Sequence, residues 1–158
     1  MGRLSISRDH QAVSRGRARS PGVSATTGRW VRSGSLRKAP MAAKILILED
    51  EPSVAGLYRD VLRLAGNEVI VYHRFEDARA HLKRDVPDGL LTDVRVGEYN
   101  GLQLALLFRS LSPAGVILVV SGHDDPVIRK EAAAIDAEFL VKPVEFSRLT
   151  KHFSNVTQ

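Results

Sequence analysis

A doubly wound α/β domain, one five-stranded parallel sheet between two layers of helices, is the fold this sequence predicts. Five short apolar runs alternate strictly with five stretches of helical periodicity. The connections are short, as parallel strands covered on both faces require. Four of the runs also lead into polar residues: Glu49-Asp50, Asp93, Ser121 and Lys142. In an open parallel sheet the ligand crevice lies outside the carboxyl ends of the strands, so these distant residues are expected to converge on one site.

Taken in order, Lys44 to Leu48 reads as the first strand. Pro52, suited to a helix first turn, introduces Val54, Leu57, Tyr58, Val61, Leu62 and Ala65 on one helical face, and Gly66 stops the helix. Glu68 to Tyr72 is the second strand; Phe75, Ala78 and Leu82 mark a second helix that ends before Pro87. Gly89 to Thr92 is the third strand, followed by a helix lined by Leu104, Leu107, Phe108 and Leu111. The strand Val116 to Val120, a helix with Ile128, Ala132 and Ile135, the strand Glu138 to Val141 and a helix with Phe146, Leu149 and Phe153 complete the pattern. In the strand order 2-1-3-4-5 the first and third strands are neighbours at the switch point, which would put Asp50 beside Asp93.

Composition bounds the function. A chain of 158 residues with 44% hydrophobic content supports one core. No cysteine is present, so disulfide frameworks, thiolate metal sites and cysteine nucleophiles are excluded. No apolar run approaches the roughly 18 residues of a membrane span. The net charge of +5 is unevenly placed. Residues 1–40 hold nine Arg and Lys against the single acid Asp9, a surplus of eight, so the remainder is net −3. We expect residues 1–42 to be a basic Arg/Ser/Gly-rich extension, disordered or upstream of a true start at Met41, with the folded domain over 43–156. A basic arm for nucleic acid or an anionic surface and a transit peptide are the other readings of this segment.

Glu49, Asp50 and Asp93 in one crevice would raise each other's pKa unless a counter-charge is supplied. A hard divalent cation resolves the conflict, and Mg²⁺ favours one or two carboxylates with water and phosphate oxygens. Lys142 offers a compact positive charge for a phosphoryl oxygen. Ser121, with the small Gly122 after it, offers a hydroxyl and an unobstructed N–H. Singly, each residue has a plainer reading. Asp50 or Glu51 can cap the helix at Pro52, Asp93 can be a turn residue with Lys142 as its ion-pair partner, Phe139 can be core, and His123 an exposed loop residue.

Jointly, Glu49-Asp50, Asp93, Gly101 eight residues on, Ser121-Gly122, Phe139 and Lys142-Pro143 resemble the receiver domain of bacterial two-component response regulators. The resemblance spans Lys44 to about Phe153 and implies a flavodoxin-like fold. It further implies that Asp93 accepts a phosphoryl group from a phosphohistidine of a sensor histidine kinase or histidine phosphotransfer protein. Mg²⁺ would be held by Asp50, Asp93 and the backbone carbonyl of Arg95, with Glu49 acting through water. Ser121 and Lys142 would contact the phosphoryl group, and Arg95 and His123 would influence its lifetime. Ser121 and Phe139 would form the switch that remodels the face of the fourth helix, fifth strand and fifth helix for a downstream target protein. A cis Lys142-Pro143 peptide, a cytoplasmic location, a weak homodimer and slow self-dephosphorylation without enzymatic activity of its own are the remaining expectations.

Three departures from the family pattern stand out. Gly97 occupies the usual proline position, which is expected to loosen the loop; Glu49 replaces aspartate; Ser121 replaces threonine. A pseudo-receiver that binds partners without phosphorylation is the alternative. Phosphate cradles of the GxxxxGK[ST] and GxGxxG types are missing, and Val94-Arg95 after Asp93 disfavours a haloacid-dehalogenase-like phosphatase. Fifteen residues follow Lys142-Pro143, so no DNA-binding domain is expected there.

Overall fold

The computed structural model describes residues 42–154 and residue 156. The expected extension over 1–42 lies, but for its last residue, outside them. From Lys44 the chain runs β1 (Lys44–Leu48), α1 (Pro52–Leu64), β2 (Glu68–Tyr72), α2 (Phe75–Leu82) and β3 (Gly89–Asp93). A short hairpin, β4 (Arg95–Val96) and β5 (Tyr99–Asn100), leads into α3 (Gly101–Leu111). Then follow β6 (Val116–Ser121), α4 (Pro126–Ala134), β7 (Glu138–Val141) and α5 (Phe146–Phe153). The main sheet has the order β2-β1-β3-β6-β7 with every pairing parallel, the doubly wound arrangement that the alternation predicts.

Successive strand residues point to opposite faces, and here both faces are covered, which is why the strands read as unbroken apolar runs. Leu46, Leu48, Leu90, Ile117, Val119 and Phe139 pack on one side against α2, α3 and α4 through Ala78, Leu82, Leu104, Phe108 and Ala132. Ile45, Ile47, Leu91, Leu118, Val120 and Leu140 pack on the other side against α1 and α5 through Tyr58, Leu62, Leu149 and Phe153.

Local chemistry starts and stops the helices. Pro52 and Pro126 occupy first-turn positions where a missing N–H costs nothing. Asn100 Oδ1 accepts from Leu102 N at 2.9 Å, and Asp125 Oδ1 from Val127 N at 2.8 Å. At α1 the capping side chain is Glu51, not Asp50; its carboxylate takes the Ser53 hydroxyl at 2.9 Å. Asp50 is thereby left for other work. Arg109 at the end of α3 donates to the carbonyls of Pro113, Gly115, Ile135 and Asp136, tying the α3–β6 and α4–β7 turns together.

Two strands run one residue further than expected. β3 ends on Asp93 and β6 on Ser121, because the parallel ladder continues through the pairs Asp93 with Val120 and Ser121 with Val141. The β4–β5 hairpin was not expected at all.

Candidate functional site

β1 and β3 are hydrogen-bonded neighbours, with Leu48 paired to Thr92. The next residues along both strands therefore emerge together at the carboxyl edge. Glu49, Asp50 and Asp93 each bring a carboxylate oxygen within 4.8 Å of the others. Glu49 is 1% exposed and Asp93 8%, while Asp50 is open to solvent. Lys142 arrives from the far side of the sheet. Its backbone N–H donates to the Ser121 carbonyl at 2.7 Å, extending the β6–β7 pairing, and the cis peptide to Pro143 follows. The ammonium lies 2.5 Å from Asp93 Oδ2 and 2.7 Å from Glu49 Oε2.

Burial pushes the Glu49 carboxyl up in pKa, with the Asp93 charge adding to the effect, and the Lys142 contacts only partly reverse it. Burial works against the Lys142 charge as well, but hydrogen bonds to Asp93 and Glu49 outweigh it, and the ammonium is held above its ordinary value. Counted fully ionised, the cluster has two negative charges beyond what Lys142 neutralises. Oxygen donors at this spacing, with the outermost exposed, form an incomplete cage that can coordinate a metal ion.

The structure thus brings Glu49, Asp50, Asp93 and Lys142 into one constellation. Ser121 ends the strand beside β3, and its Oγ accepts from His123 N at 3.1 Å. Arg95 contributes its N–H to Asp93 Oδ1 at 3.1 Å, while its side chain is exposed. A cleft of about 370 Å³ lies between the hairpin and the β6–α4 turn, lined by Arg95, Gly97, Tyr99, Ser121 and His123 among others. Phe139 stands apart from the acids. Its ring is 7% exposed in the core beside Ala132, and the Arg129 guanidinium covers it 4.7 Å from the centroid. Arg129 is held in turn by Asp124 at 2.6 Å.

Gly97 departs from the expectation of a looser loop. It is the first of two residues turning the β4–β5 hairpin, at φ +57°. A positive φ confined to that position is the type II′ pattern, which favours glycine and matches the twist of the strands. Its N–H donates to Asp50 Oδ2 at 3.1 Å. Tyr99 in the same hairpin stacks on Phe75 with ring centroids 4.6 Å apart and planes inclined by 7°. Gly97→Pro, although it restores the residue usual in similar domains, would lose both the conformation and the donor. It should destabilise the protein by at least ~1 kcal/mol, read from the urea midpoint.

Sequence reasoning also missed His73, whose ring Nδ1 lies 2.8 Å from the Glu49 backbone oxygen. The glycine between short alternating residues was a usable signal for the hairpin. For His73 and Arg129 the linear sequence carries none.

A doubly wound sheet with clustered acids at its central strand ends and a lysine from the edge strand defines the class of receiver-type α/β signalling domains. The chain belongs to the response regulator receiver domain family, whose profile matches residues 45–154, and such domains are phosphorelay modules, not enzymes. Over 106 residues it is 31% identical to the transcriptional regulatory protein ZraR of Salmonella typhimurium, covering 66% of this chain and 24% of that protein. The alginate biosynthesis transcriptional regulatory protein AlgB of Pseudomonas aeruginosa is 33% identical over 103 residues, covering 63% of this chain and 22% of that one. The chain thus spans about a quarter of the length of these curated relatives. Among solved structures, a response regulator receiver protein from Sinorhizobium medicae superposes with a TM-score of 0.68 at 27% identity, covering 73% of this chain and 94% of that one. The chemotaxis response regulator CheY4 of Vibrio cholerae gives 0.64 at 26%, covering 73% and 98%. Among the described residues no helix is long and apolar enough to cross a membrane.

Proposed function

We propose that the receiver domain occupies residues 43–156 and that Asp93 accepts a phosphoryl group from the phosphohistidine of a sensor histidine kinase or histidine phosphotransfer protein. The observation that carries this reading is the Lys142 ammonium seated between Asp93 and Glu49 at the carboxyl edge of the sheet. Mg²⁺ is the ion this oxygen set suits, held by Asp50, Asp93 and the Arg95 carbonyl, with Glu49 acting through water. When bound it would supply positive charge opposite the transferring oxygens.

A carboxylate oxygen of Asp93 forms the new O–P bond while the P–N bond of the donor breaks, and the imidazole leaves with the bonding pair. Lys142, already on Asp93, transfers part of its hydrogen bonding to a phosphoryl oxygen and offsets the charge gathered there. The Ser121 hydroxyl donates to a second phosphoryl oxygen. Phosphorylation adds roughly −1.5 to −2 charge, and hydrolysis of the acyl phosphate restores the carboxylate, with Arg95 and His123 beside the cleft modulating its lifetime.

The movement of Ser121 is read by Phe139 and passed to the surface of α4, β7 and α5, where a target protein or a second copy in a weak homodimer would dock. Arg129 over the Phe139 ring favours the buried position of that switch. The protein would act in the cytoplasm. A small phosphodonor with Mg²⁺ should add one phosphoryl group to wild type, seen as an 80 Da gain of roughly one equivalent. Asp93→Asn should take up none; equal labelling of the variant would refute the assignment, and an unlabelled wild type would favour the pseudo-receiver.

A further inference from the structure

We propose that His73, at the corner between β2 and α2, is a positioning residue for the metal-binding acids; the inference rests on the Mg²⁺-dependent reading above. Its Nδ1 is 2.8 Å from the Glu49 carbonyl oxygen. A carbonyl only accepts, so Nδ1 carries the proton and donates. The peptide between Glu49 and Asp50 is planar and stiff. Fixing its oxygen therefore places the Asp50 Cα, and with it the direction in which the Asp50 carboxylate leaves the backbone. The Glu49 N–H is held at 3.1 Å by the carbonyl of Tyr72, the residue before His73. Both backbone polar groups of Glu49 are thus tied to the end of β2.

Asp50 is the acid that needs such support. Glu49 is buried against Lys142, and Asp93 is held by Lys142 and the Arg95 N–H. The Asp50 carboxylate is exposed and takes the Gly97 N–H from the hairpin. The segment that carries His73 reaches that second support too, since Phe75, two residues on, stacks on Tyr99 of the hairpin. One short stretch, His73 to Phe75, therefore braces the acid from its backbone side through Glu49 and from its side-chain side through the hairpin. Residues that orient ligands without touching the metal are often worth tenfold or more in affinity.

The test is a Mg²⁺ titration of the full chain, followed by the amide resonances of Gly97 and Gly101, with thermal unfolding measured in parallel without metal. His73→Ala should weaken Mg²⁺ binding about tenfold. His73→Asn, which keeps an N–H donor at similar reach, should stay close to wild type, and Asp50→Asn should lose binding altogether. Wild-type affinity in His73→Ala, or equal weakening in the alanine and asparagine variants, would overturn the assignment while leaving the metal reading intact. So would a lowered melting temperature with unchanged affinity, which would make the contact a structural tie. Failure of wild type to bind, or undiminished binding by Asp50→Asn, would remove the metal reading and this inference with it.

Discussion

Lys142→Met is expected to destabilise the domain by about 3 kcal/mol at neutral pH, near the low end of the range for breaking a buried ion pair because solvent reaches the site. The lysine side chain is 23% exposed, against 1% for Glu49 and 11% for Asp93. Methionine preserves most of the stem's volume, so the loss reports the charge. Removing the ammonium leaves two carboxylates buried at close range with nothing opposite them, and Glu49, already pushed up by burial, would be driven further toward the protonated form.

This makes the deficit depend on pH, with a definite sign. Glu49 already has a folded pKa above its unfolded value, so its contribution is most favourable below about pH 4.5 and declines as pH rises through the interval to the folded pKa. In Lys142→Met that interval widens. The gap between wild type and variant should therefore shrink as pH is lowered from 8 toward about 4.5, and Glu49→Gln in the variant background should recover part of it. Lys142 itself is shifted upward; its contribution is fully present below its unfolded pKa and is lost only as pH rises through the alkaline folded value. At an Mg²⁺ concentration a hundred times the variant's dissociation constant the ion should stabilise the variant by about 2.7 kcal/mol, and the same concentration should stabilise wild type by less. Urea unfolding across pH, with and without the ion, measures all of this; a deficit that grows on acidification would contradict the electrostatic account.

Gly101→Ala should be at least as damaging. Gly101 begins α3, and its N–H donates to the Val94 carbonyl at 2.9 Å. A Cβ there would fall inside the van der Waals envelope of the Asp93 carbonyl oxygen and the Thr92 hydroxyl, and 2.9 Å from the Asp93 carbonyl carbon. Two of these three atoms are backbone of the residue proposed to accept the phosphoryl group, so relief by side-chain rotation is closed off. The strand end or the helix start must move. We expect a loss of about 3 kcal/mol or more, at the upper end of overpacking effects. For a domain of this size that is a fall of more than about 10 °C in melting temperature. Folded protein recovered at low temperature should also take up phosphoryl groups more slowly, because Asp93 is displaced from Lys142. Gly115→Ala is the natural control. There the added carbon meets the Phe108 ring and the Ser112 hydroxyl, so stability should fall while phosphorylation of the folded protein is kept.

Every strand of the main sheet and every helix was legible in the sequence, because apolar spacing and capping residues act over a few positions and leave a local record. Pro52 and Gly66 mark boundaries that the structure keeps. The polar strand ends were equally legible, and with them Glu49, Asp50, Asp93, Ser121 and Lys142 as candidates. Their meeting was an inference from topology. What placed Lys142 on Asp93, 49 residues away, was the sequence of parallel pairings β1–β3, β3–β6 and β6–β7. Single-residue chemistry does not encode such pairings; they are settled by how the helices pack over the two sheet faces. The Gly97 N–H bond to Asp50, the histidine bond to the Glu49 backbone and the arginine over Phe139 are likewise tertiary facts. Each depends on a polar or aromatic group finding its partner across an interface, and contacts of that kind have no period along the chain.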